Sequence, residues 1–473
     1  MNPDRSIANI TRRAAVGGLA ASALAFVAFG PRGGKERSDG RIVLDYWEKW
    51  TGLEGRAMIS IVDEFNASQD RIWVRYFSTS GIDQKTKVAI AGGDPPDIVG
   101  LWNPNVAGFA ASGAILPLSD IAARPEHAIR LDRYAEAMRP MMEYRGKVWA
   151  AVHTGGSVAL YCNREHFRAA GLDPETSLAT IADLDRANHL LTEVEPDGTV
   201  QRAGFLASEP GWDNYHWGTF FGGELVDTAS NRSLLGAAEN VAAYEWVQRN
   251  AQRFGLGDDL RDADAARNQR LRASSFGQLQ KFRSGFGNYD SPLNPFLSGK
   301  VSTVAQGPWL ANVIKAYRPD LDYCVVPFPV VEALVDVDNP RGLVNADVLV
   351  VPRGVRHPEA CMEFIAFTQT QRAVEHLSTI HCKNSTLAQV TPEFRDGHPN
   401  RGLATFTKVA GSSKAFRCPH TPAWMQFKDV CDTMFGEVWT GKDAAASLVS
   451  AANAKAQDVL DESAAAARRR GRA

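Results

Sequence analysis

The sequence predicts an α/β fold. Short β-rich apolar runs alternate with segments of helical periodicity, and glycine and proline break the chain between them. The alternation starts at Arg41 and resumes after residue 157 as a second series. Alternation at this pace implies parallel sheets flanked by helices. A chain of 473 residues is also too long for one core, so two α/β regions are expected.

The elements follow in order. "RIVLDYW" reads as a strand, and Met58, Ile61, Val62 and Phe65 then recur at i, i+3, i+4 and i+7, the spacing of a helix face. "IWVRYF" is β-rich, "DQKTKVAIAGG" is a helix ending in glycine, and "DIVGLW" is a strand. In the second series, "VALYCN" is a strand and "REHFRAAGLD" a helix stopped by Gly171. Helices are expected over 181–192 and 237–254, with a strand at "AGFLAS" between them. Residues 257–287 are charged, arginine-rich and carry no clear pattern. "GKVSTVAQGPW" is a strand running into a helix start, "LDYCVVPFPV" and "NADVLVVP" are strands, and 358–378 is a helix. From Ala423 to Val438, Trp424, Phe427, Cys431, Met434, Phe435 and Val438 share one helical face. No internal repeat is found.

Composition narrows the function. The net charge is −2, which argues against a nucleic-acid partner. At the N-terminus, "TRRAAVGGLAASALAFVAFG" places Arg12-Arg13 before an apolar stretch from Ala14 to Phe29. That stretch is short for a membrane span and fits a signal peptide with twin-arginine character, Ala23-Leu24-Ala25 offering a cleavage site. Residues 1–40 are therefore read as export signal and linker, and 466–473 as a basic tail. The expected location is periplasmic or cell-surface, with a membrane tether if the signal is retained. The six cysteines lack C-x-x-C spacing, so no zinc or redox motif is expected. Cys361 and Cys431 fall at apolar helical positions, whereas Cys382 and Cys418 stand in polar loops where oxidation could pair them. Sequence alone fixes no pairing among Cys162, Cys324, Cys361, Cys382, Cys418 and Cys431.

Four blocks recur in an order that resembles a known family. They are "KVAIAGGDPPDIV", "GKVWAAVHTGGSVALYCNREHFRAAGLD", "FLSGKVSTVAQGPW" and "LVVPRGVRHPEACMEFIAF". The chain resembles the sugar-type extracellular solute-binding proteins of ABC importers, the group that includes maltose-binding protein, over residues 41–465. The resemblance implies the type II periplasmic binding protein fold, two lobes with a ligand cleft between them. Lobe 1 is then expected at 41–153 plus 326–375, and lobe 2 at 158–325 plus 376–465. Hinges are expected at 152–157 and 326–335. The resemblance also implies a sugar ligand, an ABC permease as partner, a monomer, and no cofactor or metal.

Sugars present apolar C–H faces and a rim of hydroxyls, so their sites interleave aromatic planes with short polar groups. Several of the eleven tryptophans have such neighbours. Trp47 adjoins Glu48, Trp102 adjoins Asn103 and Trp212 adjoins Asp213. Trp102, Trp309 and Trp424 fall where the family's sugar-stacking tryptophans fall, and Gly307 and Pro308 open the helix that carries Trp309. Each of these tryptophans has packing as the rival reading, and Trp424 begins an apolar stripe. Asn345 and Asp347 are candidate ligand contacts or hinge residues. Asp97 is expected to pin the Asp94–Pro96 turn, and His153 is a hinge candidate. Arg417, near His420, could serve an anionic group. That keeps a glycerol-3-phosphate or other phosphorylated-polyol binder as the alternative. A secreted glycoside hydrolase is a remote one, with Glu48 and Asp213 the only carboxylates to nominate. No G-x-S-x-G, H-E-x-x-H or P-loop motif is found.

Overall fold

The computed structural model describes residues 39–211, 213–253, 265–441, 443–469 and 471. The export-signal reading, Trp212, part of the arginine-rich stretch and most of the basic tail's end lie outside the described residues.

Two sheets organise the chain. The first has seven strands, ordered Phe416–Arg417, Leu343–Pro352, Ile98–Trp102, Ile42–Glu48, Ile72–Ser78, with Ile115–Leu116 and Ala151–Ser157 also paired to Leu343–Pro352. The second is ordered Tyr323–Val326, Ala159–Asn163, Val301–Gln306, Val200–Phe205, Glu193–Val194. Helices flank both.

The sheets are mixed, where alternation alone predicts parallel ones. Ile42–Glu48 runs parallel to both Ile72–Ser78 and Ile98–Trp102. Leu343–Pro352 lies antiparallel to Ile98–Trp102, because it returns to the first sheet from the second. Outward, the chain leaves Ala151–Ser157 in the first sheet and enters Ala159–Asn163 in the second, with Val158 N–H bonded to Leu343 C=O at 2.8 Å. The outward and return crossings thus lie side by side. Phe416–Arg417, from the segment expected in lobe 2, also pairs with the first sheet.

Side-chain alternation builds a core on each face of each sheet. Leu160 and Cys162 face one cluster of the second sheet, while Ala159 and Tyr161 face the other. In the first sheet Ile98 and the pair Val99 and Leu101 divide in the same way. Met58, Ile61, Val62 and Phe65 are all buried on the helix Gly52–Ser68. The arginine-rich stretch holds two helices, Ala265–Ala273 and Phe276–Arg283, the second opened by a Ser275–Gln278 capping box. The single helix expected over 358–378 is two, Pro358–Thr368 and Gln371–Ile380. Thr370 caps the second by accepting from Ala373 N–H, while Gln369 accepts the Tyr134 hydroxyl.

The cysteines do not pair as the loop context suggested. Cys382 donates to Asn312 Oδ1 at 3.0 Å and Cys418 to the Tyr215 hydroxyl at 3.3 Å, each in its own surroundings. All six are buried thiols.

Candidate functional site

Strand direction creates the candidate site. Tyr46 lies opposite Ile98 and Trp47 opposite Val99 in parallel register, so both strands end on one sheet edge. Their exits are Glu48-Lys49-Trp50 and Trp102-Asn103. Asp97 fixes the geometry, accepting Asp45 N–H on Oδ2 and donating its own N–H to Asp45 C=O, both at 2.9 Å. The "DPPD" turn is therefore a clamp that sets where Trp102 emerges. In the second sheet, Ala203 pairs with Val301 and Phe205 with Thr303, again in parallel. Those strands exit toward Glu209-Pro210-Gly211 and as Gly307-Pro308-Trp309. Ligand sites of open α/β sheets form at such carboxyl ends.

The two edges meet at Trp309. This residue starts the helix Leu310–Tyr317, and its indole lies against Gly156 of the crossing strand. A methyl group at Gly156 would stand 3.0 Å from the ring, and one at Gly307 would collide with it at 2.2 Å. Glycine at both positions lets the indole lie flat on backbone. Lys383 Nζ is 5.8 Å from the Trp309 ring centroid.

Lys383 belongs to a buried chain of charges. Its ammonium is 2.8 Å from Asp347 Oδ2, and Asp347 Oδ1 is 3.0 Å from Lys49 Nζ. Lys49 is 3.0 Å from Glu48 Oε1. Thr154 donates to Asp347 Oδ2 at 2.6 Å, and the Tyr46 hydroxyl to Glu48 Oε2 at 2.7 Å. Burial pushes the Asp347 carboxyl up, but Lys383 and Lys49 together outweigh it and hold the group well below the usual carboxylate range. Burial lowers Lys383, and Asp347 and Glu54 more than restore it. Burial drives His381 down to about 3, Lys383 adding to the effect, and it takes His153 well below its ordinary value. Both imidazoles are therefore neutral at pH 7. Tryptophans frame the lysines: Lys49 lies 5.2 Å from the Trp50 centroid and 5.0 Å from that of Trp102, and Lys383 lies 5.4 Å from Trp50.

This arrangement corrects several expectations. Glu48 is wholly buried and its oxygens are taken by Lys49 and Tyr46. Asn103 Oδ1 accepts Ala346 N–H at 2.9 Å, which ties two strands together. Asp347 is the centre of the ion chain. Trp424 is 3% exposed, edge-on to Tyr215 at 5.0 Å and stacked on Phe427, so it begins the buried stripe. Trp47 is half-buried against the core of the first sheet. Half-buried Arg417 donates to Ala137 C=O at 3.2 Å. Asn345 remains half-buried on the crossing strand, its Oδ1 beside Gly156. Trp102, 44% exposed, and Trp309 stay at the junction.

Lobe 2 contributes a polar recess that sequence reasoning had largely missed. A small cavity of about 10 Å³, room for roughly one water or one hydroxyl, is lined by Val158, Glu209, Pro210, Asp213, His216, Trp217, Ala305 and Gln306. A second, of about 40 Å³, shares Glu209, Pro210 and Gln306 and reaches Tyr289 and Asn294. Three buried polar atoms on the first cavity's lining residues have no partner among the described residues: Gln306 Nε2, His216 Nε2 and Trp217 Nε1. Asp213 adopts a left-handed backbone with φ 59°, uncommon outside glycine. Burial raises its carboxyl to about 6, against the hydrogen bond from Tyr215 at 3.1 Å. Glu209 accepts from Arg283 at 3.1 Å, and burial raises it too. Among the described residues no group of His, Cys, Asp or Glu is arranged to hold a metal.

Comparison with known proteins agrees with this architecture. Residues 60–381 match the bacterial extracellular solute-binding protein family, and the chain belongs to that family. A maltotriose-binding protein of Pyrococcus abyssi (strain GE5 / Orsay) is 19% identical over 345 residues, covering 72% of this chain and 66% of the relative, just under two thirds of its length. Among solved structures, CpMnBP1 with mannobiose bound is 24% identical, with a TM-score of 0.73 over 88% of this chain and 99% of that one. UgpB from Mycobacterium tuberculosis, in complex with glycerophosphocholine, is 16% identical with a TM-score of 0.69, covering 89% and 99%. These likenesses extend over both sheets and fix the two-lobe fold. Members of the family bind solutes and are not enzymes. No helix among the described residues is long and apolar enough to cross a membrane.

Proposed function

We propose that this protein is the exported capture subunit of an ABC importer. It takes a neutral sugar or oligosaccharide into the junction of its two lobes and hands it to the membrane permease. It acts as a monomer, without cofactor and without nucleic acid. The lobes are 41–153 plus 326–375 and 158–325 plus 376–465, except that the whole helix Gln371–Ile380 and the strand Phe416–Arg417 go with the first sheet, and they close about the paired crossings.

One observation carries the reading. Trp309 supplies an aromatic plane at the meeting of two strand-end edges, beside a recess whose buried Gln306, His216 and Trp217 donors and acceptors lack partners. Leaving such groups unpaired costs about 1–3 kcal/mol each, so a hydroxyl-rich ligand is favoured there. Relatives that take maltotriose and mannobiose support the same class.

The phosphorylated-polyol reading draws support from the UgpB likeness in fold. The charges count against it. Lys49 and Lys383 are neutralised by Glu48 and Asp347, Arg283 by Glu209, and Arg417 is bound to a backbone carbonyl. Hydrolysis is disfavoured because Glu48, one of the two nominated carboxylates, is sealed inside the protein away from the junction.

Thermal-shift and calorimetric titration with mono- to tetrasaccharides and with glycerol phosphates tests the proposal. A neutral saccharide should raise the melting temperature, and Trp309→Ala should remove the shift while leaving that of the empty protein nearly unchanged. Preference for a glycerol phosphate, or wild-type affinity in Trp309→Ala, would overturn it.

A further inference from the structure

We propose that Cys162 and Cys324 form a disulfide once the protein meets an oxidising compartment, suturing lobe 2 where the chain enters and leaves it. The two residues are direct cross-strand partners in the second sheet, Cys324 opposite Cys162. Their side chains share one face, with Val158, Leu160 and Val326 beside them in the same cluster. Two positions along, Arg164 N–H bonds Asp322 C=O at 3.0 Å, so the register is locked at this point. It also makes Cys162 and Cys324 a hydrogen-bonded pair, whose Cα atoms stand about 5.5 Å apart. That falls within the roughly 4.4–6.8 Å a disulfide spans. Cross-strand Cβ atoms are about 4.5–5.5 Å apart and a disulfide wants about 3.8 Å, so closure draws the strands slightly together and leaves a bond that excess thiol can reduce.

The chemistry has a nucleophile and a resolver. The neighbouring Cys162 thiol and Arg164 hold the Cys324 thiol below its ordinary value. Both thiols are buried, Cys324 at 6% exposure and Cys162 at 0%, so Cys324 is the more accessible of the two and is reached as its edge strand opens locally. The Cys324 thiolate attacks an exogenous disulfide, forming a mixed disulfide and releasing one thiolate. Cys162 gives up its proton, attacks the Cys324 sulfur and releases the second thiolate. Two thiols are oxidised and one external disulfide is reduced to two thiols. The closed loop runs from residue 162 to residue 324, so the bond joins the start and end of the excursion through lobe 2.

Oxidised glutathione is the probe. The folded chain, residues 41–473, is incubated with it, quenched, and its free thiols counted after denaturation, with peptide mapping of the product. Four of the six thiols should remain, the mapped bridge should join Cys162 to Cys324, and the melting temperature should rise until excess dithiothreitol is added. Cys324→Ser and Cys162→Ser should each retain all five of their thiols as thiols or single glutathione adducts. Six free thiols in the treated wild type, or a bridge between any other pair, would overturn the proposal whether or not either variant folds.

Discussion

The resemblance nominates Trp424 and Trp102 alike as sugar-stacking residues, yet the structure seats them differently, and alanine at each should separate the two roles. A tryptophan buries about 150–250 Å² when enclosed. Trp424 is 3% exposed, with Tyr215 edge-on and Phe427 stacked, so its removal forfeits nearly all of that area. At about 25 cal/mol per Å² this is roughly 4–6 kcal/mol, close to the usual cost of about 3–5 kcal/mol for Trp or Phe to Ala in a core. Trp102 is 44% exposed, and Lys49 covers one face of its ring. By the same arithmetic its removal should cost about 2–3.5 kcal/mol of folding free energy, roughly half as much. It should instead remove a stacking plane, weakening saccharide binding by about 1–3 kcal/mol, roughly five- to 150-fold in Kd. Urea unfolding followed by circular dichroism gives the first quantity, and calorimetric titration gives the second. The reasoning fails if Trp424→Ala unfolds like wild type but loses affinity, because that indole would then face ligand.

Gly307→Ala should act on binding through Trp309. The added methyl would meet the indole at 2.2 Å, so the ring must leave its seat. Calorimetry should register at least a tenfold weaker Kd, and unchanged affinity would show that the ring's position is immaterial. Acid should destabilise the protein through His381. Its folded value of about 3 lies below an unfolded value of about 6.5, so the unfolded chain binds the extra proton. That stability is fully present above pH 6.5 and is lost as pH falls toward 3. Asp213, raised to about 6, works the other way, favouring the folded state between about pH 4 and 6 and offsetting part of the loss. His381→Phe keeps the ring contact with Trp50 and should lose less stability than wild type between pH 7 and 5, as urea unfolding at both values would reveal.

What the sequence made legible was local. Periodicity located the Met58–Phe65 face, and alternation located the strands whose ends carry Trp102 and Trp309. The Asp94–Pro96 turn chemistry pointed to Asp97 as a clamp, and Asp45 is what it clamps. Long-range partners were another matter. Nothing in "HCKNST" marks Lys383 as a buried cation, because its charge is answered by Asp347 from a different strand. Glu48 reads in sequence as a candidate ligand contact beside Trp47, because nothing local shows that Lys49 and Tyr46 take its oxygens. Trp424 was ambiguous for a physical reason. The first residue of an amphipathic helix has the same neighbours in sequence whether it points past the helix end or into the stripe. The antiparallel course of Leu343–Pro352 was hidden for a similar cause, since direction depends on where the chain returns from.

The ion chain explains how a lysine-rich junction can suit an uncharged ligand. Glu48, Lys49, Asp347 and Lys383 alternate in sign and cancel, all buried and all within hydrogen-bonding reach of a neighbour. Removing one member would strand a buried charge, which is worth about 3–5 kcal/mol, so the set holds together as a unit. What it leaves for a ligand is geometry. The two ammonium groups brace the indoles of Trp50, Trp102 and Trp309 from within, without offering a free cation outward. On the proposed reading Trp102 of lobe 1 and Trp309 of lobe 2 contribute apolar planes, and lobe 2 adds the hydrogen-bonding groups of Gln306 and His216, partnerless among the described residues. A sugar has one surface for each. Selectivity against anions would come from charge already spent inside the protein, and selectivity among sugars from how many hydroxyls reach the recess while a C–H face rests on Trp309.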